Sequence, residues 1–235
     1  MEKISVVLPS YNERESIVGA ITRVGETLGD RLLELIVVDD DSPDHTWKLV
    51  TDLEHPKVRV IRRQGEKGLA SALALGVKES TGDIVAWLDC DLGVPPEVLK
   101  CLIEKLETND VAIASRFVVG GQDQRAIWIV FCSYLINRFA QLVLGSRIKD
   151  YTSGVIALRR DVLDKVSINP LGFGEYFIEF VHSCVGEGFS IVEVGYLYKD
   201  RPAGRSKSTG SILTFLRLGV QYGLKVLSIR IRNSR

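Results

Sequence analysis

Residues 35–43 read Leu-Ile-Val-Val-Asp-Asp-Asp-Ser-Pro: four apolar residues in unbroken succession, three acids, then a Ser-Pro pair. An apolar run without alternation marks a strand covered on both faces, as in parallel sheets flanked by helices. Ser42-Pro43 carries the cap and first-turn preferences of a helix start, so the stretch predicts strand, acidic rim and helix in that order. The same rhythm extends outward in both directions. Residues 4–8 form a strand candidate, followed by helical spacing at Ile17, Ile21, Val24 and Leu28. Residues 58–61, 84–88 and 111–114 are further strand candidates, separated by one-sided apolar stripes at 69–80 and 98–106. This alternation predicts an α/β fold of the doubly wound kind, with a mostly parallel central sheet and helices on both faces.

Beyond residue 115 the rhythm changes. An apolar helix is expected over 126–145, interrupted by Asn137, Arg138 and Gln141, then a strand at 155–158. A helix around 176–185, a strand at 191–194 and a basic helix over 212–231 complete the expected order. No repeat and no linker divides the chain. One domain over 1–207 is expected, with a basic amphipathic helix or tail over 208–235.

The 235 residues are 46% apolar and 26% charged, which suits a large core and excludes a disordered tail. Thirty basic residues cancel thirty acidic ones, but the balance is uneven along the chain. Residues 199–235 hold nine Lys or Arg against Asp200 alone, a local +8 on a body of −8. A basic end of this kind is expected to face phosphate or anionic lipid. Cys90, Cys101, Cys132 and Cys184 form no CxxC pair, so free thiols in a reducing compartment are expected. Met1-Glu2-Lys3 runs directly into a strand, so no signal peptide is expected, and no stretch of 18 uncharged apolar residues predicts a spanning helix. A secreted disulfide scaffold, a collagen-like chain and a polytopic membrane protein are excluded.

In open α/β sheets ligands bind beyond the carboxyl ends of the strands. Here those ends carry Pro9-Ser-Tyr-Asn-Glu13, Asp39-Asp-Asp-Ser42 and Asp89-Cys-Asp91. Any one of these alone reads as a solvated turn or helix cap. Three acidic clusters on one rim repel each other unless a cation or a donor-rich ligand joins them. Asp89 and Asp91 suit one hard divalent ion, Mg²⁺ or Mn²⁺, shared with diphosphate oxygens. Arg116 follows the fifth strand, and Arg201, Arg205 and Lys207 lie in a Gly- and Pro-containing segment suited to gripping phosphate. Other motifs fail. No GxGxxG follows the first strand, no Gly-x-Ser-x-Gly elbow occurs, and His45, His55 and His182 have no zinc spacing.

Leu8-Pro-Ser-Tyr-Asn-Glu13, Val37-Val-Asp-Asp-Asp-Ser42, Asp89-Cys-Asp91 and Ser115-Arg116 resemble the family 2 glycosyltransferases of GT-A fold. Lys67-Gly-Leu-Ala70, Thr81-Gly-Asp83, Asp91-Leu-Gly-Val-Pro-Pro-Glu97, Gly120-Gly121, Thr152-Ser-Gly154 and Arg201-Pro-Ala-Gly-Arg-Ser-Lys207 narrow the resemblance. It becomes one to dolichol-phosphate mannose synthases and their prokaryotic polyprenyl-phosphate relatives, spanning residues 4–207 with the motifs in order. The resemblance implies that Pro9, Tyr11, Glu13, Val38 and Asp40 hold the base and ribose of a nucleotide sugar. Asp89 and Asp91 would handle metal and diphosphate, with Cys90 contributing backbone. Arg116, Arg201 and Lys207 would contact phosphates, and Ser133 with Arg116 and Lys207 would meet the lipid phosphate. Two departures stand out. The family often has Gln where this chain has Gly93, and Arg four residues before the acceptor-side Ser, here Ile129 if that serine is Ser133.

The implied reaction moves a sugar, mannose from GDP-mannose foremost, onto a polyprenyl or dolichyl phosphate with inversion at the sugar carbon. A phosphate monoester has a second pKa of about 6, so the nucleophile is ionised near neutrality and no strong general base is needed. The apolar helix at 126–145 reads either as a core helix or, with Trp128 and Tyr134 at headgroup depth, as an interfacial one; with the basic tail, the second is expected to rest on the cytosolic face of a membrane as a peripheral contact. A separate membrane-anchoring subunit stays open, and no nucleic acid is expected. Three alternatives also stay open: a UDP-sugar donor, a weakly catalytic nucleotide-binding subunit, and a phosphoacceptor receiver domain. The last is motivated by Asp39–Asp41, Asp89 and Ser115, but a whole strand–helix unit precedes its acidic pair.

Overall fold

The structure is a computed structural model that describes residues 2–199 and 212–232. Arg201, Arg205, Lys207 and Arg235 lie outside the described residues. In chain order the elements are β1 (Ile4–Ser10), α1 (Ile17–Leu28), β2 (Leu32–Asp39), α2 (Thr46–Thr51), β3 (Val58–Arg62), α3 (Leu69–Glu79), β4 (Ile84–Trp87) and α4 (Val98–Lys105). There follow β5 (Val111–Ser115), β6 (Gln122–Asp123), α5 (Ile127–Leu144), β7 (Ile156–Arg159), α6 (Tyr176–Gly186), β8 (Ile191–Gly195), β9 (Leu197–Tyr198) and α7 (Ile212–Arg232).

Seven strands form one sheet in the order β3-β2-β1-β4-β7-β5-β8, and β6 pairs with β9 in a small second sheet. β1 lies between β2 and β4, parallel to both, so the chain order reverses there and a crevice opens beyond their carboxyl ends. Successive residues of β1 serve opposite faces of the sheet. Val6 and Leu8 join the core beneath α1 and α4, whereas Val7 packs with Val38 beneath α3 and in the core shared with α6. Burial on both faces is the reason these strands read as unbroken apolar runs. Gly76 permits the approach of α3, since a Cβ there would collide with Val7 and Val38.

Three details differ from the sequence reading. First, β7 is antiparallel to both β4 and β5. The connection after α5 returns through Thr152–Gly154, which line the crevice, so β7 starts at the carboxyl rim and runs back across the sheet. Second, Ser42 does not cap a helix. Its backbone N–H and hydroxyl donate to Asp39 (2.8 and 2.7 Å), its oxygen accepts from Asn12 N–H, and α2 starts only at Thr46. Asp44 there accepts from the N–H and hydroxyl of Thr46 (3.0 and 2.6 Å), so two side-chain turns delay the helix. Third, α5 is one helix long and apolar enough to cross a membrane by length and composition, although no such span was expected.

α5 is also turned inside out relative to an ordinary core helix. Its buried positions include Ser133, Asn137 and Gln141, at four-residue spacing, while Ile127, Phe131 and Leu142 are exposed by 86%, 60% and 85%. α7 packs on α5 and α6, burying Val226 and Ile229 and exposing Val220, Leu224, Leu227 and Ile231. α7 is therefore part of the packed body, and like α5 it leaves apolar residues exposed.

Candidate active site

A cleft of about 470 Å³ lies over the carboxyl ends of β1, β2 and β4, walled on its far side by α5 and α7. At one end stand Pro9, Tyr11 and Glu13, carried out of β1 by a turn in which Asn12 adopts φ 53°. Ser10 lines the same end, and its buried hydroxyl has no hydrogen-bond partner among the described residues.

Asp40 also lines the cleft, but its carboxylate is engaged. One oxygen accepts from Arg63 Nε (2.7 Å) and Nη2, and the other accepts from Gly68 N–H at 2.7 Å. Arg63 in turn donates to Ser71 Oγ and to the Gly68 carbonyl. The buried pair thus fixes the loop that presents Lys67, whose ammonium donates to Tyr11 Oη (3.1 Å) and lies 4.7 Å from the centre of that ring. The Tyr11 hydroxyl, with Asp40 and Asp41 behind it, holds the Lys67 pKa above its usual range. Val38 was expected at the nucleoside end. Its side chain is wholly buried beneath α3 and does not reach the cleft.

At mid-cleft, β4 delivers Asp89, exposed, and Asp91, buried. The Cys90 thiol between them is buried and donates to the Pro9 carbonyl at 3.3 Å, so its side chain faces inward. Asp91 Oδ1 accepts from Gly93 N–H at 2.8 Å. A Cβ on Gly93 would lie 3.0 Å from Tyr198 Oη and 3.2 Å from Asp91 Oδ1. The phenol of Tyr198 therefore fills the space that a longer side chain at position 93 would need. Burial, with Asp91 and then Asp89 adding, pushes the Tyr198 pKa up to about 12. Burial with Asp89 likewise raises Tyr176, whose oxygen accepts from Trp87 Nε1. These phenols stay protonated and can donate toward anionic oxygen.

Among the described residues no group of three or more His, Cys, Asp or Glu side chains forms a metal cage. Asp89 and Asp91 offer hard oxygen donors at alternate positions, which fits Mg²⁺ or Mn²⁺ completed by phosphate oxygens and water.

The other side of the cleft carries two arginines, each held by a buried carboxylate. Arg116 Nε and Nη2 donate to the two oxygens of the fully buried Asp150 (2.9 and 2.7 Å), and Nη2 also donates to Thr152 Oγ1. Arg116 Nη1 lies 3.6 Å from Asp123, and these carboxylates outweigh burial to keep Arg116 firmly protonated. Arg125 Nε and Nη2 donate to Asp123 (2.9 and 2.5 Å), and the guanidinium sits 4.7 Å from the Tyr198 ring centre. Ser133 and Asn137 follow along α5, with Asn137 Nδ2 donating to Thr152 Oγ1 at 2.8 Å.

The structure thus gathers Pro9, Tyr11, Glu13, Asp40, Asp89, Cys90, Asp91, Arg116 and Ser133 around one cleft, and it leaves out Val38. Arg201 and Lys207 fall outside the described residues. Arg63, Arg125, Tyr198 and Tyr222 were not expected at the site; only the charged stretch ahead of α5 offered a signal, for Arg125.

A family model described as Glycosyl transferase family 2 matches residues 5–167. The chain belongs to that family. A dolichol-phosphate mannosyltransferase from Pyrococcus furiosus is 40% identical to this glycosyltransferase over 225 residues, 92% of this chain and 62% of the relative. The chain therefore spans about three fifths of that relative's length. A polyprenol monophosphomannose synthase from Mycolicibacterium smegmatis is 31% identical over 89% of this chain and 82% of its own. A solved glucosyl-3-phosphoglycerate synthase from Mycobacterium tuberculosis, in complex with Mn²⁺, uridine-diphosphate-glucose and phosphoglyceric acid, superposes with a TM-score of 0.76. It is 21% identical and covers 97% of this chain and 80% of that one, a likeness of fold. The architecture is that of the GT-A glycosyltransferases.

Proposed function

We propose that this glycosyltransferase transfers mannose from GDP-mannose to a polyprenyl phosphate, as a peripheral enzyme on the cytosolic face of a membrane. The observation that carries the reading is the charge layout of one cleft. Asp89 and Asp91 stand at its centre, Arg116 and Arg125 face them, and the wall behind is a helix with an apolar outer surface. The names of the two relatives support mannose and a polyprenyl phosphate as the pair of substrates.

Asp89 and Asp91 would hold a divalent cation, which would supply Lewis-acid stabilisation to a departing diphosphate. The chain's own groups do the rest. Tyr11, Lys67 and Ser10 provide an aromatic face, a cation and a hydroxyl for the nucleoside end. An acceptor phosphate oxygen forms a bond to the anomeric carbon as the bond to the nucleoside diphosphate breaks, and the leaving group takes the electron pair. One displacement inverts the sugar centre. Arg116, held from behind by Asp150, offsets the charge of two anions brought together. No side chain removes a proton, because the acceptor arrives ionised.

A thermal-shift panel of GDP- and UDP-sugars with Mg²⁺ or Mn²⁺ tests the donor, since a ligand bound only by the folded state raises its Tm. GDP-mannose with metal should give the largest rise. Asp91→Ala should lower transfer of radiolabelled mannose to lipid phosphate by about a hundredfold or more. Absence of stabilisation by every nucleotide sugar, with metal and without, overturns the reading.

A further inference from the structure

Glu193 is a half-buried carboxylate on β8, and the transfer reaction above gives it no task. One of its oxygens accepts from Lys149 N–H at 2.7 Å and the other from Asp150 N–H at 2.9 Å. The buried hydroxyl of Ser115, the residue before Arg116, is hydrogen-bonded to the same carboxylate. From α5, Gln141 Nε2 donates to the Lys149 carbonyl at 2.9 Å. The peptide unit joining Lys149 to Asp150 is thus held by its carbonyl and by its N–H. The Asp150 side chain is left aimed at Arg116, accepting from its backbone N–H, Nε and Nη2 (2.9, 2.9 and 2.7 Å). A second carboxylate beside the fully buried Asp150 is costly: burial, with Asp150 adding, raises the Glu193 pKa. An apolar side chain would avoid that cost, but it would leave two backbone N–H groups unheld.

We propose that Glu193 is a positioning residue for sugar transfer, acting on Arg116 through the Lys149–Asp150 peptide and the Asp150 carboxylate. The inference rests on the transferase reading above and deepens it. Glu193 does not line the cleft and touches no substrate. Turning the peptide would turn Asp150 and carry the guanidinium with it, and a small displacement of a charge-offsetting group lowers the rate of the chemical step.

The test is a double-mutant cycle in the transfer of radiolabelled mannose from GDP-mannose to undecaprenyl phosphate in detergent micelles. Glu193→Gln keeps one acceptor oxygen and sets an amide donor against a backbone N–H. It should lower kcat by about tenfold, the scale of one lost charge-assisted hydrogen bond. In an Arg116→Gln background the same change should alter kcat by less than about twofold, because its route to the reaction is already cut. Losses that multiply in the double variant overturn the proposal, and so does an unchanged kcat in Glu193→Gln. Gln141→Met frees the Lys149 carbonyl and leaves both N–H bonds, and it serves the same cycle if Glu193→Gln does not fold. Its smaller loss should vanish in the Arg116→Gln background, and persistence there overturns the proposal. Amide exchange over residues 149–152, read by mass spectrometry, needs no turnover. It should quicken by about tenfold in Glu193→Gln, and unchanged exchange overturns the link between Glu193 and this peptide. Wild-type enzyme that transfers no sugar is a different result, and sinks the transferase reading instead.

Discussion

Arg63 and Asp40 bury opposite charges, with side chains 3% and 9% exposed, at the head of the loop that carries Lys67. Removing one partner of such a pair leaves an uncompensated charge in a poorly hydrated place. Arg63→Ala should therefore cost about 3–5 kcal/mol, read from the midpoint of urea unfolding. The pair shows why the site was only partly legible in the sequence. Asp89, Asp91 and Arg116 stand out because each directly follows an apolar strand, and strand ends point at ligands. Arg63 and Asp150 carry no such signal. Arg63 is joined to Asp40 across 23 positions and Asp150 to Arg116 across 34, and only the folded sheet brings them together. Val38, placed at the nucleoside end by resemblance alone, turns its side chain away from the rim. Its place beneath Gly76 was fixed by packing that spacing alone does not encode.

Among the elements, the strands were legible because burial on both faces writes itself as continuous Val, Ile and Leu. The direction of β7 was not, since an apolar run reads the same both ways. β6 and β9, of two residues each, are too short to leave a periodic signal. For α5 the composition was legible but the orientation was not. Its inward stripe of Ser133, Asn137 and Gln141 lines polar ground, while Ile127, Phe131, Leu135 and Leu142 on its outer side are exposed. If this outer face rests on lipid, charge placed there should weaken binding without touching the core. The double variant Phe131→Asp and Leu135→Asp should lose flotation with anionic liposomes by about tenfold. Its Tm should stay within about 2 °C of wild type, as expected for exposed positions. Undiminished flotation would remove α5 from the membrane contact.

Across the whole molecule, α7 is held by the burial of Val226 and Ile229 and, among the described residues, by a carboxylate of α6. Glu179 of α6 accepts from Lys225 and Arg232 of α7 and from Asn169 Nδ2 at 3.1 Å. Burial raises its pKa, but these partners, Lys225 first, bring it below the ordinary 4.5. A group whose pKa is lower in the folded state stabilises that state above its unfolded value. The contribution is then lost as pH falls through the folded value. The anchoring of α7 should accordingly be intact at neutral pH and weaken below pH 4.5. Glu179→Gln should flatten that part of the Tm–pH curve, measured between pH 3 and 7, a span of about two to three units around the carboxylate value. A variant curve parallel to wild type would assign the acid sensitivity elsewhere. The inverted α5 has one more consequence. A single helix, about 10–12 Å across, is all that separates the reacting groups from whatever touches its outer side. A carrier confined to a bilayer would then find the enzyme by sideways drift within a plane. Turnover would follow the mole fraction of that carrier in the surface rather than its concentration in bulk solution.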